Sequence, residues 1–359
     1  MLPFLYTVFQ IWRKMVRVTL MSKWLISFVL LLCSTTLANA NTVDSLTTRF
    51  KSLYEAEWGS TQPCRETALN KFSVCSNILR NEGNAPFILK NDTSTKVAVL
   101  IHGLSDSPFF MREIANILFK QGYTVLVPLL PGHGKRDAND DMSDWDLAER
   151  WQAHVDDVIA LADDMGDSLL LGGFSTGGAL AVQHYLNNPE HVDGLMLFSG
   201  ALALSDNAES MSRIWGIKLL ARIIDGSYET HGPNPYKYPH VAGFAGLELM
   251  DIINDIRGKL EQGQQIKVPL FVTHSQADIT TPIHGVESLL EHSQGPNTFF
   301  VIDESYEVCH ADVVVNSVLL NTMRFNKNMV NQQEACAVPK ANPLFTTMSL
   351  MLQEYLKQR

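Results

Sequence analysis

The chain has 359 residues, 46% of them hydrophobic, and 38 acids against 28 Lys and Arg give a formal net charge of −10. Such an acidic balance argues against a nucleic-acid partner and against charge-driven binding to anionic lipid. The length suits one large domain with an insertion.

Residues 1–40 hold Arg13, Lys14, Arg17 and Lys23 and no acid, then an apolar run over 24–32, then Ala38-Asn39-Ala40. That is the pattern of a secretory signal cleaved after Ala40, with an apolar run too short to span a bilayer. Met21 would begin a more compact version of it. The expectation is export to the periplasm or beyond, with no stable membrane insertion after cleavage. Beyond the signal stand Cys64, Cys75, Cys309 and Cys336. An even number in an exported chain suggests two disulfides among three possible connectivities, and the local pairs Cys64–Cys75 and Cys309–Cys336 are expected.

Residues 41–95 read as a lead-in packed on the core, with a helix over 45–58 and a strand near 86–89. Residues 96–101 (KVAVLI) form a continuous apolar, β-branched run, as in a strand buried on both faces of a parallel sheet. A helix over 111–121, a strand over 124–130, a long helix over 144–165 and a strand from Leu169 follow. After a helix to about Asn188, the strand 194–199 completes this half. The alternation then breaks. Residues 205–265 show two helical patterns around a Gly/Pro/Tyr/His stretch, 226–240, and no strand-like run, so they read as a helical cap. The sheet resumes at 268–274 and ends at 298–302, with helices expected from 283, over 312–326 and over 345–357. The reading is an α/β fold, a mostly parallel sheet flanked by helices. Its core is 96–204 with 266–330, its cap 205–265, and a C-terminal helix lies in 331–359.

The chemistry centres on residues 168–180, SLLLGGFSTGGAL. Here a strand meets Gly173-Phe174-Ser175-Thr176-Gly177 and then a helix. In such a turn the residues two before and two after the serine must be small, so that strand and helix approach closely. The turn lifts the Ser175 hydroxyl out of the sheet and aims the Thr176 N–H toward a developing oxyanion. A hydroxyl nucleophile needs a base, and the base needs an orienting acid. Asp278 follows the strand 268–274 and His310 follows 298–302, both at the carboxyl ends where α/β sites gather. Asp303 also ends a strand and is the rival acid. The Leu104 N–H, after the strand 96–101, would be the second oxyanion donor. His102, His133 and His274 read as structural, Asp106 and Asp141 as surface or capping residues. No zinc-ligand spacing and no nucleotide-binding glycine motif is present, so neither metal nor cofactor is implied.

HGLSDSP, PLLPGHG, GGFSTGGALA, QADITTP and the His310 loop together resemble the α/β-hydrolase family, close to bacterial carboxylesterases and monoacylglycerol lipases. The resemblance spans about residues 97–325. It implies a serine hydrolase of carboxylic esters with Ser175 as nucleophile, His310 as base and Asp278 as acid. It also favours single-chain esters such as monoacylglycerols. Val308-Cys309 stands before the histidine where such enzymes often have a small pair. A lysophospholipase, thioesterase or acyltransferase would use the same triad, and a non-catalytic binding protein would share the scaffold. Apolar cap side chains, with Trp215 and Leu219 as the candidates, are expected to line the acyl pocket.

Overall fold

A computed structural model describes residues 46–65 and 70–359, and the signal expected at 1–40 lies outside them. Residues 46–58 form helix α1. A single compact unit, Lys51–Arg359, carries the whole sheet. Among the described residues no helix is long and apolar enough to cross a membrane.

The sheet has nine strands: β1 (Gln62–Pro63), β2 (Lys71–Cys75), β3 (Phe87–Leu89), β4 (Lys96–Ile101), β5 (Thr124–Val127), β6 (Ser168–Phe174), β7 (Gly194–Phe198), β8 (Leu270–Ser275) and β9 (Asn297–Ile302). Their spatial order is β1-β2-β3-β5-β4-β6-β7-β8-β9. Strands β4 to β9 run parallel, while β1, β2 and β3 are joined antiparallel to the β5 edge. The lead-in therefore extends the sheet as well as packing on it. The Cys64–Cys75 disulfide closes the β1–β2 end.

Buried strands β4 and β6 contain almost only apolar side chains and glycine, because helices cover both faces. The helices in order are α2 (Arg112–Lys120), the single turn α3 (Asn139–Met142), α4 (Leu147–Asp163), α5 (Thr176–Asn187), α6 (Asp206–Ser212), α7 (Ile217–Asp225), α8 (Gly243–Glu261), α9 (His284–Glu291), α10 (Ser317–Thr322) and α11 (Phe345–Lys357). The helix expected over 312–326 is instead a 3₁₀ turn, His310–Val314, followed by the short α10. Its N-cap is Asn316, whose side chain accepts the Leu319 N–H.

From β4 the chain steps to β5 on one side, then crosses to β6 on the other. This reversal makes a crevice at the carboxyl ends of β4 and β6, where open α/β sheets bind ligands. Residues 102–107 and the turn at Ser175 lie at those two ends. Above them sits the insertion. Helix α8 buries Phe244, Leu249, Ile252, Ile253 and Ile256, whereas α7 buries none of its side chains. Lys218 ties α7 to Glu248 of α8 (2.6 Å), and Arg257 of α8 reaches Glu209 of α6 (2.8 Å).

Candidate active site

The turn between β6 and α5 places Ser175 at φ 55°, ψ −120°. This region is costly for a residue with a side chain, on the order of 1–3 kcal/mol, so the surroundings must hold it. They do so through backbone bonds: Ser175 N–H donates to Phe198 O (3.1 Å), and Ser175 O accepts from Ala201 N–H (3.0 Å). The flanking glycines have a steric cause. A Cβ on Gly177 would lie 2.1 Å from Ile101 O, and one on Gly173 would lie 2.5 Å from the same oxygen. Strand β4 passes too close for any larger residue.

His310 opens the 3₁₀ turn after β9, and Asp278 sits in the loop after β8. Asp278 Oδ2 is 2.6 Å from His310 Nδ1, and His310 Nε2 is 2.9 Å from Ser175 Oγ. The structure thus brings Ser175, His310 and Asp278 into one hydrogen-bonded line. With Nδ1 carrying the hydrogen toward the carboxylate, Nε2 accepts from the serine hydroxyl. Asp278 is only 4% exposed. Its Oδ1 accepts the N–H of Thr280 (2.9 Å) and of Thr281 (3.0 Å), and its Oδ2 accepts the Thr281 hydroxyl (3.0 Å). Burial by itself would raise the Asp278 carboxyl. The His310 charge and hydrogen bond, with the Thr281 N–H, outweigh it and hold the group below the usual carboxylate range. His274 supports the same loop: its Nε2 donates to Thr281 O (2.6 Å), and burial pushes its imidazole toward the neutral form. Asp303, the rival acid, lies in the open and accepts from Ser305 instead (2.9 Å).

Among the described residues no acceptor meets the N–H of Leu104 or of Thr176. Thr176 is the first residue of α5, so its N–H is one of the donors a helix leaves open. Leu104 belongs to a loop fixed by two buried histidines. His102 donates to Gly103 O (2.8 Å) and accepts from Leu130 N–H (3.0 Å). His133 spans Leu104 O and Pro131 O, so both rings act on the loop backbone.

A family profile described as serine aminopeptidase, S33, matches residues 92–240. The chain is 24% identical over 248 residues to the thermostable monoacylglycerol lipase of Bacillus sp. (strain H-257), covering 68% of this chain and 94% of that one. A structure from the metagenome-derived lipolytic enzymes LipS and LipT superposes with a TM-score of 0.52 at 22% identity, over 66% of this chain and 94% of the other. A soluble variant of the Saccharomyces cerevisiae monoglyceride lipase, bound to a substrate analogue, gives 0.53 at 12% identity, over 83% and 95%. The chain has the α/β-hydrolase fold. At these identities the solved structures speak for the fold; the resemblance to monoacylglycerol lipases and esterases rests on the sequence relative as well.

In this α/β-hydrolase fold the serine opens into a cavity of about 1190 Å³ between the sheet core and the helices of residues 205–265. Ser175, His310, Leu104 and Thr281 stand at its floor, and its roof includes Ile217, Leu220, Ala221 and Ile224 of α7. Those four positions follow the i, i+3, i+4, i+7 spacing of one helix face. Leu219 falls on the opposite face of α7 and is 58% exposed, and Trp215, in the turn before α7, is 98% exposed. Neither lines the cavity, which corrects the expectation for both. Sequence reasoning found an apolar helix but not its phase, because the phase depends on what the helix covers. It also passed over Ile217, Ala221 and Ile224 as lining residues, and the helical period read from Leu220 would have pointed to all three.

Asp312, two residues beyond His310, lines the same cavity and is buried. Burial pushes its carboxyl up to about 6 from 3.8, against the Lys340 N–H on Oδ1 (3.0 Å) and the charges of Lys340 and Lys237. The folded state then binds this proton more tightly than the unfolded chain. The destabilising contribution is absent below about pH 4, grows as the pH rises, and is complete above about pH 6. Asp312→Asn keeps an acceptor for Lys340 and removes the charge. It is expected to stabilise the fold by about 1–3 kcal/mol at pH 8 and to change little at pH 4. Thermal melts of both proteins at the two pH values check this.

Proposed function

We propose that this chain is a serine-dependent carboxylic ester hydrolase that works through an acyl-enzyme. The observation that carries the reading is the line Asp278–His310–Ser175, at 2.6 and 2.9 Å, opening into a largely apolar cavity. Ser175 Oγ attacks the ester carbonyl as His310 Nε2 takes its proton. The N–H groups of Leu104 and Thr176 stabilise the oxyanion. Collapse of the tetrahedral intermediate breaks the ester bond, and His310 returns the proton to the leaving alcohol. Water then repeats the sequence on the acyl-Ser175 ester, releasing the acid and restoring the serine. Asp278 keeps the imidazole in the required tautomer and balances its charge while protonated.

The preferred substrates are single-chain esters such as monoacylglycerols. Supporting this are the apolar roof from α7 and the sequence relative, a monoacylglycerol lipase. The signal-like start and the two disulfides support an exported protein. A panel of a monoacylglycerol, a lysophospholipid, an acyl thioester and a short ester tests the reading. The monoacylglycerol is expected to give the highest kcat/KM, at least tenfold above the lysophospholipid. A thioester or lysophospholipid preference would move the assignment to a thioesterase or lysophospholipase on the same triad.

A further inference from the structure

The cavity has a second wall besides the cap helices. It is formed by residues 325–339, between α10 and α11, where Phe325, Met329, Val330 and Pro339 border the space above Ser175. The regular structure in this stretch is one 3₁₀ turn, Lys327–Met329. Both ends are fixed. Asn326 N–H donates to Pro233 O (2.8 Å), and Lys340 N–H donates to Asp312 Oδ1 (3.0 Å). Between them residues 331–336 are exposed, and their hydrogen bonds close within the stretch, as Glu334 N–H to Asn331 O (3.1 Å). Among the described hydrogen bonds, ion pairs and disulfides of residues 331–338, only Cys309–Cys336 reaches outside the stretch. Cys309 is the residue before His310, so this bond pins the wall beside the triad.

We propose that residues 325–339 form a specificity wall, held over the site by the Cys309–Cys336 bond, that grips the distal part of the substrate's acyl chain. The proposal rests on the ester-hydrolase reading above. Its chemistry is that of an apolar chain: Phe325, Met329, Val330 and Pro339 line the same cavity as the apolar side chains Ile217, Leu220 and Ile224 of α7. A short acyl group held at Ser175 fills a small part of about 1190 Å³, and in this proposal a long one lies along both surfaces. Releasing the wall therefore removes contacts in proportion to chain length. A disulfide that did no more than steady His310 would act on every ester alike, through kcat.

The test compares the oxidised wild-type protein with two variants. One is the double variant Cys309→Ser/Cys336→Ser; the other is Met329→Glu, with the disulfide intact and a charge on the wall. For each, kcat and KM are measured with the p-nitrophenyl esters of acetate, butyrate, octanoate and laurate. In both variants the laurate-to-acetate ratio of kcat/KM is expected to fall at least about tenfold, mainly through KM for laurate. That corresponds to lost contact with roughly two methylenes. A ratio unchanged within twofold, or equal losses for acetate and laurate, overturns the proposal. If the double variant does not fold, Met329→Glu decides by the same ratio. A wild-type protein inert toward every ester removes the reading beneath the proposal, and the control shows this before any variant is compared.

Discussion

Ser175→Ala is expected to lower kcat/KM for any carboxylic ester by about 10⁴–10⁶-fold while leaving the melting temperature within a few degrees of wild type. The magnitude follows from the role: without the hydroxyl no acyl-enzyme forms, and only the oxyanion donors and substrate binding remain to help water attack. The fold should survive because the turn is held by backbone bonds to Phe198 and Ala201, which alanine keeps. Alanine also occupies the same φ of 55° with a smaller side chain. Steady-state kinetics with a chromogenic ester, alongside a thermal melt, separates loss of chemistry from loss of fold. Activity within tenfold of wild type would mean that another residue performs the attack.

Asp278→Asn is expected to lower kcat by about 10⁴-fold, with a much smaller effect on KM. The amide is nearly the same size, and its oxygen still accepts the N–H groups of Thr280 and Thr281 that now bind Oδ1. The NH₂ group then stands where Oδ2 stands, 2.6 Å from His310 Nδ1. An amide donor there requires Nδ1 to accept. The imidazole hydrogen moves to Nε2, facing Ser175, where it blocks proton removal from the hydroxyl. The loss should shrink at high pH, where hydroxide takes over part of the base's work. A full kcat–pH profile of wild type and variant checks both the size and the trend. A tenfold or smaller loss at neutral pH would assign the orienting role to a different acid.

How much of this was legible before the structure depends on whether a residue's role is set locally. The elbow was legible because its glycines answer a steric demand within one turn: Ile101 O is 2.1 Å from where a Gly177 Cβ would stand. Strands β4, β6 and β7 were legible because burial on both faces leaves unbroken apolar runs. Both disulfides of the structure join cysteines close in sequence, as locality suggested. The β1–β2 hairpin was missed, since Gln62–Pro63 is too short and too polar to read as a strand. The cap's inner face was missed as well. Leu219 and Leu220 are adjacent and chemically alike, and only the cavity below α7 makes one of them a lining residue. The wall at 325–339 carried no signal beyond Cys336, for it has little regular structure and its place is set by a bond to a distant loop. In each case the illegible part is a choice of side or partner made by tertiary packing.

Reaction of the purified protein with a fluorophosphonate, followed by peptide mass spectrometry to locate the adduct, tests whether Ser175 is a nucleophile activated by His310. A single adduct on Ser175, formed in wild type and lost in His310→Ala, is the expected result. Absence of an adduct on folded wild-type protein, or an adduct on another serine, would contradict it.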